Sequence, residues 1–406
     1  MNNIKKVIFF NLGGTWDMVK KNGKLTGSRS FNDEALYQLE ESLKYYKNSR
    51  KDIDSLELQL VKLIEKSIVK NAQKSTDLGE YLNWVPGIDK YVKGKFISLF
   101  EGDSSHLRAA LIAPFVAFIL GQYKNDPHIQ ILGSQGTDTA DCALLPLLDV
   151  YLFDTSFLPI LFTGSNRTKS EWNSDAPKNF SDLVKLAGTN LAPGSYWVFA
   201  GHLYRASDFI KIDPLESRRI ENYSTFFAPR LTTRFTKKFI DENSIFNSES
   251  GNLTPIDHIS QNITTENLYH ALTQVEIVDL GNQNNISSEI EKILNPNHKA
   301  IVIAGHSLGN ASNPIRYACV QAALQGKLVI IVSRTLIGEV NERYAASILG
   351  ADSEELMETG KLIISGHKLN KNVAKAIVTR AVQEKLNQKQ TQALINSYCK
   401  SRGLLS

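Results

Sequence analysis

Short apolar runs alternate with longer helical patterns along most of this chain, and each run is bounded by Gly, Asn or charged residues. Buried strands are predicted for these runs at Val7–Phe10, Ile129–Leu132, Pro159–Thr163, Tyr196–Ala200, Val275–Asp279, Ala300–Ala304 and Leu328–Val332. Helices are predicted between several of them, at Ser105–Leu120, Asp175–Ala187 and Ile315–Gln325. Because strands that alternate with helices join into parallel sheets, the sequence predicts an α/β fold with parallel sheets and covering helices.

A charged segment at about 33–95 interrupts this alternation. It has helical patterns at Leu36–Tyr46 and Ile53–Lys70 but no clear strand, so we expect a solvated helical insertion. An appendage that binds a partner or another subunit, anchored by Tyr45, Tyr46 and Trp84, is the alternative.

A second change in composition predicts how the chain divides. Residues 241–266 are rich in Asn, Ser, Thr and acidic residues and show little periodicity, which is typical of a linker. We therefore expect a larger N-terminal parallel-sheet domain over 1–240 and a smaller C-terminal α/β domain over 267–406. A chain of 406 residues is long enough to form two such cores.

The composition is that of an ordinary globular protein, with 42% hydrophobic and 22% charged residues, and excludes a mainly disordered or collagen-like chain. The longest apolar run, Ala109–Leu120, contains Pro114 and is too short to span a bilayer. The net charge of +4 is lower than a dedicated nucleic-acid binder usually carries.

Three widely spaced cysteines and eight histidines form no disulfide framework and no metal-binding pattern, which fits a reducing compartment. We expect a cytoplasmic protein without a metal, a cofactor, a nucleic-acid partner or a membrane partner.

Gly13-Gly14-Thr15 follows the first predicted strand directly. Two glycines at the carboxyl end of a strand permit a sharp turn and a close approach of the backbone to a ligand. Thr15 would then stand in the crevice where open α/β sheets bind ligands. An ordinary turn between strand and helix is the alternative. A phosphate-binding loop is disfavoured because neither G-x-G-x-x-G nor G-x-x-x-x-G-K-[ST] occurs here.

A second glycine-flanked group, Gly133–Thr139 (GSQGTDT), follows the strand predicted at Ile129–Leu132. The hydroxyl of Thr137 stands next to the carboxylate of Asp138, which can orient an ammonium group. Backbone N–H groups at such a position can hold an oxyanion. A cap for the next helix is the alternative, because Thr and Asp are both good N-caps.

The stretch Gly164–Asn179 reads as an irregular loop that runs into a helix, with Ser174 or Asp175 as the cap. In this order, the three stretches resemble the motifs of the bacterial-type L-asparaginase/glutaminase family, which pairs G-G-T near the N-terminus with a later G-T-D-T and a G-x-x-R…S-D-G-P-x-N segment. Further matches occur at Asp103-Ser104-Ser105, Ser307–Ala311 and Glu339-Val340-Asn341. The resemblance covers nearly the whole chain apart from the segment 33–95.

The resemblance implies an asparaginase-like fold and the hydrolysis of a side-chain amide, with L-asparagine as the expected substrate. It implies that Thr15 is the nucleophile and that Thr137, Asp138 and Lys211 form a second catalytic set. A threonine hydroxyl needs such a set because it is a poor nucleophile until a neighbouring group eases removal of its proton. The substrate-binding residues that the family implies are Asp103, Ser104, Ser105, Gly136, Asn310 and Glu339. No cofactor and no metal are implied, and a homodimer or homotetramer is expected.

Three departures from the family pattern leave other functions open. The loop after G-G-T, Met18–Thr26, lacks the tyrosine that the family places there, Gln135 replaces a common histidine, and Ala176 replaces a glycine. An asparaginase-like amidohydrolase of another amide is therefore one alternative. A catalytically silent homologue that binds an amino acid is another.

A motif of a different class is Gly305–Gly309 (GHSLG), which follows a predicted strand and has the G-x-S-x-G pattern of a serine hydrolase. Asp352 and His367 follow it in the chain order that such an enzyme needs. Ser307, however, lies too late in the chain to leave room for the rest of that fold, and no H-G-G-G-type motif precedes it. We therefore expect an amidohydrolase rather than a serine esterase.

Overall fold

A computed structural model of the chain describes part of the sequence in detail. The described residues are 6–13, 19–21, 24–26, 50–78, 94–100, 107–126, 128–142, 144–168, 171–187, 189–206, 209–211, 227–229, 232–234, 263–281, 285–335, 338–341 and 363–405. The chain divides into two compact units, Met1–Glu266 and Asn267–Ser406. Most of the predicted linker at 241–266 lies outside the described residues.

The first unit contains an eight-stranded sheet. Its strands are β1 (Lys6–Leu12), β4 (Thr76–Asp77), β5 (Gly94–Phe100), β6 (Ile129–Gln135), β7 (Ile160–Thr163), β8 (Ser195–Phe199), β9 (His202–Arg205) and β12 (Thr232–Arg234). Their order is β12-β9-β8-β7-β6-β1-β5-β4, and the central five strands, from β8 to β5, run parallel. Two small antiparallel pairs accompany the sheet: β2 (Val19–Lys21) with β3 (Lys24–Thr26), and β10 (Phe209–Lys211) with β11 (Phe227–Pro229).

Helices cover both faces of this sheet. They are α1 (Arg50–Gln73), α2 (Ala109–Asn125), α3 (Leu144–Leu152) and α4 (Ala176–Leu186). Successive residues of β1 point to opposite faces and show the two layers. The ring of Phe9 packs edge-on against Phe180 of α4, with 5.1 Å between centroids, whereas Phe10 packs against Phe118 of α2 at 5.8 Å. This arrangement confirms the predicted α/β fold.

The segment 33–95 differs from its sequence expectation where the structure describes it. Helix α1 is not solvated on all sides, because it buries one side and packs against α2 and β5. Its fully buried side chains are Leu60, Val61, Ile64 and Ile68. Strands are present as well: β5 begins at Gly94 and pairs with β1 in parallel, while β4 adds an antiparallel edge. The predicted helix at Leu36–Tyr46 and the candidate anchor Trp84 lie outside the described residues.

The second unit contains a four-stranded parallel sheet. Its strands are β13 (Val275–Asp279), β14 (Ala300–Gly305), β15 (Leu328–Ser333) and β16 (Ile363–Ser365), hydrogen-bonded in that order. Helix α5 (Thr265–Thr273) leads into it, followed by α6 (Ile286–Leu294), α7 (Asn313–Leu324), α8 (Lys371–Gln383) and α9 (Gln388–Ser401). Strands β14 and β15 are buried along their whole length, so this unit has a core of its own. Across the described ranges of both units, no helix is long and apolar enough to cross a membrane.

Lys327 is a buried cation between α7 and β15 in the second unit. Its Nζ donates hydrogen bonds to the carbonyl oxygens of Ile293, at 3.0 Å, and Asn295, at 2.7 Å, at the carboxyl end of α6. A cation at this end of a helix complements the helix dipole and satisfies carbonyls that the helix itself leaves unpaired. Burial, together with the charge of Lys299, lowers the pKa of Lys327 below its ordinary value.

Replacing Lys327 with methionine is expected to lower the free energy of unfolding of the second unit by about 1–3 kcal/mol, because two helix-end carbonyls lose their donor. The pKa of Lys327 is lower in the folded than in the unfolded chain, so the unfolded chain binds more protons. Wild-type stability should therefore rise as the pH increases toward the ordinary lysine pKa of 10.5, and this contribution should be missing in Lys327→Met. Urea unfolding followed by far-UV circular dichroism at several pH values measures both effects. Equal stabilities and equal pH slopes would contradict the assignment.

Candidate active site

The order of strands in the first sheet marks where a ligand would bind. Strands β5 and β6, which follow β1 in the chain, lie on opposite sides of it. Open α/β sheets bind ligands outside the carboxyl ends of the strands at such a point. Gly13, with a φ of 72°, leaves the carboxyl end of β1, and Gly136 follows β6 directly beside it. The two predicted glycine motifs therefore begin at the same edge of the sheet.

The G-T-D-T group forms a short turn of 3₁₀ helix, Thr137–Thr139, that starts after Gly136. The side chain of Thr137 is buried with 5% of its surface exposed, whereas Asp138 is exposed. A buried threonine is thus followed directly in the chain by an aspartate that solvent and ligands can reach. The structure brings these three predicted residues together at the carboxyl end of β6. Within the described residues, no group of three His, Cys, Asp or Glu side chains could hold a metal ion.

A row of polar side chains crosses the sheet just before these loops. Asn11 of β1 is in register with Ser98 of β5 and with Ser134 of β6. The Ser134 hydroxyl donates to Asn11 Oδ1 at 2.8 Å, and Asn11 Nδ2 donates to Ser98 Oγ at 3.3 Å. Thr163 of β7, in register with Ser134, donates to the carbonyl oxygen of Val198 at 2.7 Å. These bonds fix the relative positions of the strand ends that carry the candidate site, and the sequence pattern did not predict them.

The loop between β7 and α4 is held by the carboxylate of Asp175. It accepts hydrogen bonds from the backbone N–H groups of Asn166, at 3.0 and 3.1 Å, and Arg167, at 3.1 Å. Asp175 was one of two residues expected to cap α4. Its carboxylate makes no capping bond there, whereas Ser174 Oγ accepts from the N–H of Ala176 at 3.1 Å. Asp175 therefore orders the loop rather than the helix end.

Asn179, in the first turns of α4, ties this loop to the next strand connection. Its Nδ2 donates to the carbonyl oxygen of Gly164 at 3.0 Å and to Asp175 Oδ2 at 3.2 Å. Its Oδ1 accepts from the backbone N–H of Ala200 at 3.1 Å. Only 1% of Asn179 is exposed. One buried amide thus joins the connection after β7 to the turn after β8.

The placement of the other predicted site residues relative to Thr137 stays a prediction. Thr15, Asp103, Ser104 and Ser105 lie outside the described residues. Lys211 ends β10, where its backbone pairs with Phe227 of β11, and its side chain is outside the described part. Asn310 and Glu339 belong to the second unit. There, Glu339 Oε2 lies 3.6 Å from Lys368 Nζ in a partly exposed ion pair, which is worth little.

The G-H-S-L-G motif forms a tight turn after β14 in the second unit. The backbone N–H of His306 donates to the carbonyl of Asn310 at 2.9 Å, and that of Asn310 donates back at 2.8 Å. Ser307 lies at the tip with a φ of 46°, and Ser333 Oγ donates to its carbonyl oxygen at 2.5 Å. The buried Oδ1 of Asn310 has no hydrogen-bond partner within the described residues.

The serine-hydrolase alternative gains no support from this turn. His367, the base that such a triad would need, has its Nε2 at 2.9 Å from Asn396 Oδ1. Asp352 lies outside the described residues. The turn is instead held by Ser333 and the paired backbone of its own ends.

The two α/β units and the G-T-D-T turn at a strand end agree with the class of amide-hydrolysing proteins that the motifs resemble, and a family comparison agrees with that class. A model of the family described as "Asparaginase, N-terminal" matches residues 6–234, which is more than half of the chain. The chain therefore belongs to the asparaginase family, a family of amidohydrolases. This confirms the resemblance inferred from the motifs.

Three of the solved structures with a similar fold are L-asparaginases. The thermostable L-asparaginase from Thermococcus kodakarensis has a TM-score of 0.60 and 17% identity, with 96% of each chain covered. A probable cytoplasmic L-asparaginase from Campylobacter jejuni has a TM-score of 0.57 and 15% identity, covering 96% of this chain and 99% of that one. L-asparaginase I from Vibrio cholerae has a TM-score of 0.57 and 16% identity, with 96% of each chain covered. At these identities the likeness is one of fold.

A curated relative is a subunit of the glutamyl-tRNA(Gln) amidotransferase from Thermoplasma volcanium, which is 23% identical over 235 residues. The match covers 54% of this chain and 53% of the relative. The chain thus spans about half the length of the curated relative that it matches.

Proposed function

We propose that the protein hydrolyses the side-chain amide of L-asparagine to L-aspartate and ammonia, with a threonine as the nucleophile. One observation carries the proposal. Buried Thr137 is followed directly in the chain by exposed Asp138, at the sheet edge where the G-G-T motif also begins. Membership of the asparaginase family supports amide hydrolysis. The resemblance of the G-G-T and G-T-D-T motifs to those of the family supports a threonine nucleophile.

In the proposed reaction, Thr15 Oγ1 attacks the amide carbon, and its proton passes to the set formed by Thr137, Asp138 and Lys211. The tetrahedral intermediate breaks its C–N bond, the nitrogen takes up that proton, and ammonia leaves an acyl-threonine. Water then hydrolyses the ester and restores the hydroxyl. Burial of Thr137 supports its role, because proton transfer to and from a hydroxyl is more effective where water is excluded.

The proposed substrate contacts divide by charge. Asp138 would hold the α-ammonium group, since its carboxylate is exposed at the sheet edge. Ser104, with its neighbours Asp103 and Ser105, would hold the α-carboxylate, and backbone N–H groups at Gly136 would face the developing oxyanion. Asn310 and Glu339 are proposed to approach the substrate or the site of another subunit. A homodimer or homotetramer in the cytoplasm stays a prediction.

A second candidate is an amidohydrolase that acts on a different amide. The match to a glutamyl-tRNA(Gln) amidotransferase subunit over half of each chain favours this candidate, as does the loop without its family tyrosine. Glutamine and larger amides would then be turned over faster than asparagine.

Ammonia release from asparagine and from glutamine tests the proposal. Wild-type protein is expected to release ammonia faster from asparagine, and Thr15→Ala is expected to lose at least about 10³-fold in kcat, since the covalent step is removed. A coupled ammonia assay measures both rates. If folded wild-type protein releases ammonia from neither amide, the proposed activity is wrong. Thermal stabilisation by aspartate without turnover would then identify a silent binding homologue.

A further inference from the structure

Three buried polar side chains at the carboxyl ends of β6 and β7 have no hydrogen-bond partner within the described residues. They are Gln135, with both amide atoms in this state, Ser165 and Thr139. Gln135 is 0% exposed and Ser165 is 1% exposed. Buried polar atoms are nearly always hydrogen-bonded, so a group of unpaired polar atoms at a ligand-binding edge is a candidate for binding a polar ligand.

Gln135 and Ser165 are close neighbours because of the strand register. Ser134 of β6 pairs with Thr163 of β7, which brings Gln135 beside Gly164. A Cβ at Gly164 would lie only 2.6 Å from the carbonyl oxygen of Gln135 and 2.7 Å from the ring of Trp197. Only glycine fits between them. The backbones of the two strand ends therefore approach closely beside the Trp197 ring, and Ser165 follows Gly164 directly at this contact.

A second buried glutamine on β6 has a structural role and serves as a comparison for Gln135. Gln130, at the start of β6, is also 0% exposed. Its Nε2 donates to the carbonyl oxygens of Pro159, at 2.7 Å, and Ile131, at 3.3 Å. The fold thus gives partners to the glutamine at the amino end of β6. Gln135, at the carboxyl end beside Thr137, has none among the described residues.

We propose that Gln135 and Ser165 form a subsite that binds a carboxamide and discriminates against a carboxylate. The inference rests on the proposed amide hydrolysis and names what the site recognises. A primary amide offers an acceptor and two donors, so the Gln135 amide can exchange a reciprocal pair of hydrogen bonds with a substrate carboxamide. The acid product has no hydrogen to donate to Gln135 Oε1, and its charge would be buried among uncharged groups. The subsite therefore holds the amide and favours release of the acid.

Two methionine variants separate this role from a structural one. Gln135→Met keeps the shape of the side chain but removes its hydrogen bonds, and Gln130→Met is the matched control on the same strand. We expect Gln135→Met to weaken asparagine binding by at least about tenfold and to change inhibition by aspartate by less than about threefold. Gln130→Met should leave both constants unchanged. Kinetics give the constants for the active chain, and titration calorimetry of asparagine with the Thr15→Ala chain gives binding without turnover.

Urea unfolding provides a second readout. A structural role of Gln135 predicts that Gln135→Met lowers the urea midpoint, whereas a role in ligand binding predicts that it does not. All four tryptophans lie in the first unit, so their fluorescence in urea reports on its unfolding. Gln130→Met is expected to lower the urea midpoint, because it leaves the Pro159 carbonyl without its donor. Gln135→Met is expected to keep or raise the midpoint of the ligand-free protein, because it removes buried groups that the fold does not pair.

The outcomes separate this inference from the proposed activity. If Gln135→Met lowers the midpoint as Gln130→Met does and leaves asparagine binding unchanged, Gln135 is structural and the inference is overturned. An equal loss of asparagine and aspartate binding also overturns it. If the wild-type chain binds asparagine and glutamine without releasing ammonia, and Gln135→Met abolishes only that binding, the proposed activity fails and the carboxamide subsite stands. Ser165→Ala should weaken amide binding by about threefold, because it removes the second hydrogen-bonding group of the subsite.

Discussion

Replacing Thr137 with alanine is expected to lower kcat for amide hydrolysis by about 10³-fold, with the free energy of unfolding changed by about 1 kcal/mol or less. Thr137 is buried and directly precedes Asp138 at the end of β6, where the proposed proton transfer takes place. Removing a group that acts in the transition state lowers kcat and kcat/KM together. Steady-state ammonia release measures the loss, and a double variant with Asp138→Asn should lose little more than either single variant. Residues that act as one catalytic unit are not additive.

Thr189→Ala is the matched control for this experiment. Thr189 is also a buried threonine of the first unit, 2% exposed, and its hydroxyl donates to the carbonyl oxygen of Leu186 at 2.7 Å at the end of α4. Its removal should cost about 1 kcal/mol of stability and leave kcat unchanged. If Thr137→Ala keeps more than about a tenth of wild-type kcat, proton transfer through Thr137 is not what limits hydrolysis.

The parallel strands of the core were predictable where they are continuously apolar. The runs at Val7–Phe10 and Ile129–Leu132 lie in β1 and β6, but both strands continue to Leu12 and Gln135. The apolar pattern predicts ends that are too early for these strands, because their carboxyl ends carry buried polar residues. The polar row was missed for the same reason. In the sequence Asn11 marks the end of the predicted strand, whereas in the structure it is a buried residue within β1.

Strand β5 was missed for a different reason. Lys95 and Ser98 interrupt its apolar pattern, and its pairing with β1 joins residues that are far apart in the sequence. Register between distant strands depends on the whole sheet and cannot be obtained from local pattern. The residues of the candidate site also divide into those that a local pattern can predict and those that depend on tertiary packing. Gly136, Thr137 and Asp138 are adjacent in the chain and could be found as a motif, whereas the bonds of Asn179 to Gly164 and Ala200 depend on tertiary packing.

Replacing Asn179 with leucine is expected to lower the free energy of unfolding of the first unit by about 3–5 kcal/mol. Leucine has nearly the same shape but leaves the Gly164 carbonyl and the Ala200 N–H buried without this partner. It also removes a donor to Asp175, which orders the loop that carries Ser165. Amide hydrolysis should therefore fall at temperatures where the variant is still folded, because the loop beside the proposed subsite loses its anchor.

Tryptophan fluorescence in urea measures the stability change, because it reports on the first unit, while far-UV circular dichroism reports on both units. The control is Asn370→Ala in the second unit. Asn370 Oδ1 accepts from the backbone N–H groups of Asn372 and Val373 at the start of α8, so its loss should cost about 1 kcal/mol and leave the fluorescence midpoint unchanged. A buried amide that joins two connections should matter far more than a cap at one helix end. If Asn179→Leu costs no more than Asn370→Ala, the connections after β7 and β8 are held by other contacts, and Asn179 does not anchor the site.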